Sequence, residues 1–199
     1  MRFTREPQAY PGLTREDSAG NGSLMRLAPV VLYFHPDKYP DPHEAMVAAV
    51  DASRTTHGEP RCLDACRVFA WMLHVALSGE GREAVFDHRA LLRACPDLHP
   101  DIQDVVAGSY REKDRDQIVS SGYVVQTLEA VLWVLWQGGS FREGALLAAN
   151  LGGDADTVTA IYGQLAGALA SEAGLPRDWL GIVAWRDRIK QLADDLYYG

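Results

Sequence analysis

The 199 residues carry 47% hydrophobic and 23% charged side chains, enough apolar matter for one buried core and too much for a disordered chain. Nineteen basic residues against 27 acidic ones leave a formal net charge of −8, which repels polyanions and excludes a general nucleic-acid-binding role. The three cysteines, Cys62, Cys66 and Cys95, form no CxxC pair; that usage predicts a reducing, cytoplasmic setting rather than a disulfide framework.

The amino-terminal "MRFTREPQAYPGLTRED" lacks the apolar run of a secretory signal, and residues 1–17 are expected to be extended or loop. The longest apolar run, "AVLWVLW", is far short of a bilayer span, so no membrane association is expected. "DSAGNGSLMRLAPV" then sets Gly20 and Gly22 around Asn21, beside Ser18 and Ser23, ahead of a helical pattern. Such a turn can aim backbone N–H groups and hydroxyls at one anion, with the helix dipole assisting. A phosphate or pyrophosphate suits it; the plain alternative is an ordinary turn. Arg26 either forms an internal ion pair or braces the loop.

"DPHEAMVAAVDASRTTH" predicts a helix with Asp41 as cap, Pro42 at the first position and Glu44 in the first turn. His57 ends that pattern, where a hydrogen-bonding or cationic side chain is favourable in any case. "EPRCLDACRVFAWMLHVALSGEG" predicts a long helix stopped by Gly79 and Gly81. Cys62 and Cys66, four apart on it, read as core residues in preference to a metal pair. One shorter helix is expected over "REAVFDHRALLRAC", another from Pro100, and "REKDRDQ" reads as a solvated connection. His35, His43, His74, His88 and His99 show no partner pattern.

"GYVVQTLEAVLWVLWQGG" predicts a central apolar helix, and Ser140 and Glu143 stand in capping-box spacing for the next. "NLGGDADTVTAIYGQLAGALA" follows, with Asp154, Asp156 and Thr157 between a glycine pair and a helical run. One of these residues would serve as a helix cap. Two carboxylates and a hydroxyl also make a hard-oxygen set suited to Mg²⁺ or Mn²⁺, and spacing leaves both readings open. "DADTV" fits the nucleophile pattern of haloacid-dehalogenase phosphatases, but that pattern belongs after a β-strand. An EF-hand loop fails for want of its distal Glu. Ala160, Gly163, Gly167 and Ala170 leave one helix side nearly bare; each glycine costs about 1 kcal/mol of helix propensity, so close approach by another helix backbone is expected there. "WRDRIKQLADDLYYG" reads as an amphipathic end helix. No repeat or linker divides the chain, and the reading is one all-α domain over residues 1–199.

Taken together, "GNGSLMRLAPV", "SRTTH" and the long segment from "GYVVQTLEAVLWVLW" through "SFREGALLAANLGGDADTVTAIYGQLAGALA" closely resemble, in order and spacing, the ADP-ribosylglycohydrolase family, which includes the dinitrogenase-reductase-activating enzyme. The resemblance implies a compact orthogonal multi-helix bundle with a binuclear Mg²⁺ or Mn²⁺ centre that releases ADP-ribose from a modified side chain. It implies that Asp154, Asp156 and Thr157 are metal ligands, the family's "GGDxDT" being intact. It also implies that Ser18, Gly20, Asn21 and Gly22 hold the diphosphate of ADP-ribose and that His57 lies beside that ligand. The family's "GDxxG"-type motif, its acidic residue near the scissile bond and its "TDD" triplet precede "GNGS", and none is found in these residues; Asp194 and Asp195 lack the preceding Thr. The expectation is therefore an N-terminally truncated form of the fold with its catalytic acid unassigned and apolar faces available for self-association. The alternative is a catalytically inactive relative that binds ADP-ribose or a protein partner.

Overall fold

The computed structural model describes residues 10–198, and among them the backbone forms twelve α-helices and no strand. The glycine-rich segment leads into two short helices, α1 (Gly22–Met25) and α2 (Ala28–Tyr33), followed by α3 (His43–Arg54) and α4 (Pro60–Leu77). Next come α5 (Gly81–Val85), α6 (His88–Ala94) and α7 (Pro100–Ala107). The second half is built from α8 (Val124–Gln137), α9 (Phe141–Ala149) and α10 (Ala155–Gly174), and the chain closes with α11 (Arg177–Leu180) and α12 (Arg186–Tyr198). The expectation for residues 1–17 falls partly outside the described residues; within them, Glu16–Ser18 is a 3₁₀ turn.

Local chemistry sets most boundaries. Ser140 and Glu143 form the reciprocal capping box that opens α9, after Gly138 and Gly139 turn the chain at φ 81° and 92°, a region that favours glycine. Asp41 accepts the His43 N–H at 2.9 Å, which delays α3 to His43 and leaves Pro42 at the cap position. The single helix expected over "REAVFDHRALLRAC" is two. Asp87 caps α6 by accepting the Ala90 N–H at 3.0 Å, and a capping residue inside an apolar pattern starts a new helix. "REKDRDQ" is tethered rather than simply solvated: Lys113 pairs with Glu129 at 2.7 Å, and Arg115 donates to the Asn150 and Leu151 carbonyls at 3.0 and 2.8 Å.

α4 is the central element, packed against α1, α2, α3, α5, α7, α8 and α10, and its residues from Cys62 to Ala76 are buried except on the Leu63, Asp64 and Arg67 side. The three cysteines are free and buried, as the core reading expects. α10 presents Val158, Ile161, Tyr162 and Leu165 to the core. Its bare side differs from expectation: Ala160 is exposed and nothing lies near Gly163. The close approach occurs instead at Gly144 of α9, where an added Cβ would overlap the hydroxyl end of the buried Tyr162 ring. A tyrosine, not a bare stripe, joins the two helices. α12 has no buried residue, and just before it Ile182 and Trp185 are 82% and 83% exposed.

These two glycines give opposite expectations in a thermal melt. Gly144→Ala gains about 1 kcal/mol of helix propensity but meets the Tyr162 ring, an overpacking cost of about 1–3 kcal/mol, so its Tm falls. Gly163→Ala gains the same propensity in open space, so its Tm rises.

Candidate functional site

The loop before α1 is held by backbone pairing with the segment before α8. The Asn21 N–H donates to the Gly122 carbonyl at 3.1 Å and the Val124 N–H to the Ala19 carbonyl at 3.0 Å, bracketing an isolated antiparallel bridge between Gly20 and Tyr123. The Asn21 side chain is turned inward and is 8% exposed. Its amide donates to Asp154 Oδ2 at 2.7 Å and to Thr127 Oγ1 at 2.9 Å, and the Thr127 hydroxyl donates onward to the Ser121 carbonyl at 2.8 Å. One amide thus joins the glycine loop, the start of α8 and the start of α10.

Gly152 and Gly153 deliver the chain to α10 at φ 79° and 58°. Gly153 lies so close to the Ser120 carbonyl that any Cβ would collide with it, and the Asp154 N–H donates to that carbonyl at 3.3 Å. Asp154 stands at the N-cap position, yet its side chain accepts no N–H from the first turn. Its oxygens instead accept from Asn21 and, at 3.1 Å, from the Thr157 hydroxyl. The simple cap reading therefore fails for Asp154. Asp156 is exposed and Thr157 is 7% exposed. Two carboxylates and a hydroxyl at one helix start are hard oxygen donors of the kind Mg²⁺ and Mn²⁺ take. No cluster of three or more His, Cys, Asp or Glu side chains fit to hold an ion occurs among the described residues.

His57 lies three residues beyond α3 rather than within it. Its N–H donates to the Ser53 carbonyl at 2.7 Å, and its own carbonyl accepts the Ser53 hydroxyl at 2.9 Å. The ring rests on the glycine loop: a Cβ on Gly22 would come within 2.9 Å of Cε1, and one on Gly20 within 3.4 Å of Nε2. Glycine at 22 is what lets the ring sit there. Partial burial holds the imidazole below its ordinary pKa, and the nearby Arg26 charge acts in the same direction. Arg26 braces the "SRTTH" segment through hydrogen bonds, donating to the Ala52 carbonyl at 2.7 Å and to Thr56 Oγ1 at 2.8 Å. The structure thus brings Gly20, Asn21, Gly22 and His57 together and connects them to Asp154 and Thr157. Ser18 stands at the edge, its hydroxyl donating to the Arg15 carbonyl.

Several residues around this centre had no signal in the sequence reading. Thr127 is fully buried and takes part only because α8 begins where it does. Arg61 donates to Glu59 Oε1 at 2.8 Å, to the Tyr123 hydroxyl at 3.0 Å and to the Glu16 carbonyl at 3.0 Å, and the Tyr123 hydroxyl donates to Asp101 at 3.1 Å. The Glu-Pro-Arg start of α4 was the available clue. Cys62 donates its thiol to the Gly20 carbonyl at 3.3 Å, and burial pushes that thiol up to about 12, so it stays a proton donor.

An all-helical domain with a Gly-Asn-Gly loop joined to an Asp-x-Asp-Thr helix start defines a class. The family model described as ADP-ribosylglycohydrolase matches residues 1–199, and the chain belongs to that family. Among its relatives, an ADP-ribosylarginine hydrolase (Tri1) of Pseudomonas putida is 41% identical over 198 residues, 98% of this chain and 50% of the relative. The protein of the same name from Serratia proteamaculans is 34% identical, covering 99% and 51%, and the ADP-ribosyl-[dinitrogen reductase] glycohydrolase of Rhodospirillum rubrum is 32% identical, covering 83% and 51%. A solved structure described as an ADP-ribosylglycohydrolase-related protein complex superposes with a TM-score of 0.81 at 43% identity, over 95% of this chain and 62% of that one. The chain spans about half the length of the curated relatives it matches.

Two measurements probe this geometry. Asn21→Ala removes one donor from the Asp154 carboxylate and one from the buried Thr127 hydroxyl and should lower unfolding free energy in urea by about 1–3 kcal/mol. An NMR titration should place His57 below the ordinary histidine pKa. A lowered folded-state value means that the unfolded chain binds the proton more tightly. Stability associated with His57 is then present above the unfolded value and lost as pH falls through the folded one. His57→Asn should accordingly lose less stability on mild acidification than the wild type.

Proposed function

We propose that this chain supplies the ADP-ribose-binding and metal-holding part of an ADP-ribosyl hydrolase acting on modified arginine side chains of proteins. Family membership over residues 1–199 and the names of the relatives support the hydrolase reading over a relative that only binds ADP-ribose. The observation that carries it is the Asp154 carboxylate, which stands at a helix N-cap without capping and is oriented by Asn21 and Thr157.

Asp154, Asp156 and Thr157 would hold Mg²⁺ or Mn²⁺. Such an ion supplies Lewis-acid orientation of the ribose hydroxyls and a lowered pKa for an attacking water. The chain's own residues have separable tasks. The Gly20 and Asn21 N–H groups already donate to the Ser18 and Gly122 carbonyls, so they shape the loop. Gly22 opens α1, where its N–H lacks a helical acceptor and is a donor suited to an anionic diphosphate. His57, its proton affinity lowered by burial, packs beside that loop as a hydrogen-bonding group. No catalytic acid is assigned among these residues. No helix among the described residues is long and apolar enough to cross a membrane. The three free cysteines support a cytoplasmic setting. The exposed Ile182 and Trp185 side chains offer a surface for self-association.

Calorimetric titration of ADP-ribose into the 199-residue chain, with Mg²⁺ or Mn²⁺ and again with EDTA, tests the reading. Metal-dependent binding that is lost in Asp156→Ala is expected. Absence of binding under every condition would overturn it.

A further inference from the structure

Arg61 occupies the first turn of α4, and both its side chain and that of Glu59 are buried, at 10% and 4% exposure. Glu59 grips it twice: Oε1 accepts from Nε and Oε2 from the Arg61 backbone N–H, both at 2.8 Å. Asp101 lies 3.5 Å from the same guanidinium. With two carboxylates against it, the cation has little net charge left to attract a diphosphate. Its other two side-chain hydrogen bonds go to the Glu16 carbonyl, just before the glycine loop, and to the Tyr123 hydroxyl, whose residue forms the backbone bridge to Gly20. The guanidinium also lies over the Tyr123 ring, 5.5 Å from its centre.

From this arrangement we infer that Arg61 is a positioning residue for ADP-ribose binding, setting the Ser18–Gly22 loop in register against Tyr123 and against the His57–Glu59 segment. The inference rests on the proposed ADP-ribose site. A buried ion pair contributes little stability relative to well-packed apolar side chains, so burial here is better accounted for by directed geometry. Arginine suits that task because one rigid planar group directs several donors at once, whereas lysine offers a single point charge on a flexible stem. A loop held in its binding conformation before the ligand arrives avoids the ordering cost of association.

Arg61→Lys and Tyr123→Phe test it in the full 199-residue chain by amide hydrogen exchange without ligand and by calorimetry with ADP-ribose and Mg²⁺. Tyr123→Phe keeps the ion pair and removes only the hydroxyl between Arg61 and Asp101, so it serves if Arg61→Lys fails to fold. In the folded variants the Asn21 and Val124 amides should exchange about tenfold faster or more, while Ile161 and Leu165 in α10 are unchanged; ADP-ribose affinity should fall about 10-fold or more, as when outer partners of liganding groups are lost. A merely global loss of stability would speed the α10 amides equally and would overturn the assignment. Unchanged exchange at Asn21 and Val124, or unchanged affinity, would overturn it as well. If the wild-type chain binds no ADP-ribose, the underlying site reading fails, and the ligand-free exchange result shows separately whether Arg61 holds the loop.

Discussion

The Asn21 amide is the constraint on which the site depends. Two N–H bonds from one buried side chain reach Asp154 and Thr127, and a buried amide without acceptors would be costly, so the three segments hold one another in place. The backbone bridge between Gly20 and Tyr123 and the contact of Ser120 with Gly153 act on the same junction from either side. His57 lies on the two glycines flanking Asn21, and the carboxylate of Asp154 is turned from the backbone N–H groups of its own helix to side-chain donors.

That turn separates this helix start from an ordinary one. A capping aspartate satisfies the first-turn N–H groups and is finished. Asp154 leaves that work undone and takes its hydrogen bonds from Asn21 and Thr157 instead, which fixes the direction of its oxygens. A carboxylate engaged in capping has fewer lone pairs left for any other partner. The hard-oxygen character of the set, rather than its number, is what accords with the magnesium or manganese chemistry implied for the family.

Some boundaries set by neighbours in sequence were legible: the Ser140–Glu143 box, the glycine stop at 138 and 139, and the proline start at 100 all appear in the fold. The glycine loop, His57 and Asp-x-Asp-Thr were legible as a family pattern, though the sequence could not show that Asn21 is the residue that ties them together. The break at Asp87 was missed because its apolar flanks continue one helical pattern across a cap. The bare side of α10 was misread for a related reason. Small residues permit close packing without requiring it, and the contact was made by Tyr162 on Gly144. The Glu59–Arg61 pair was passed over despite the Glu-Pro-Arg start, since two charges at a helix start look solvated until Tyr123 and Glu16 are brought over them.

The Asn21 side chain and its Asp154 acceptor are 133 residues apart in the chain. Contacts of such separation close large loops and form late, after local helices exist. During synthesis, the helices through α9 can form while the junction still lacks its last member, and only after Thr157 has emerged can the centre close. Ligand affinity at this centre would therefore report on closure of the glycine loop onto the start of α10, and a ligand that binds only the closed state would hold those two segments together by mass action.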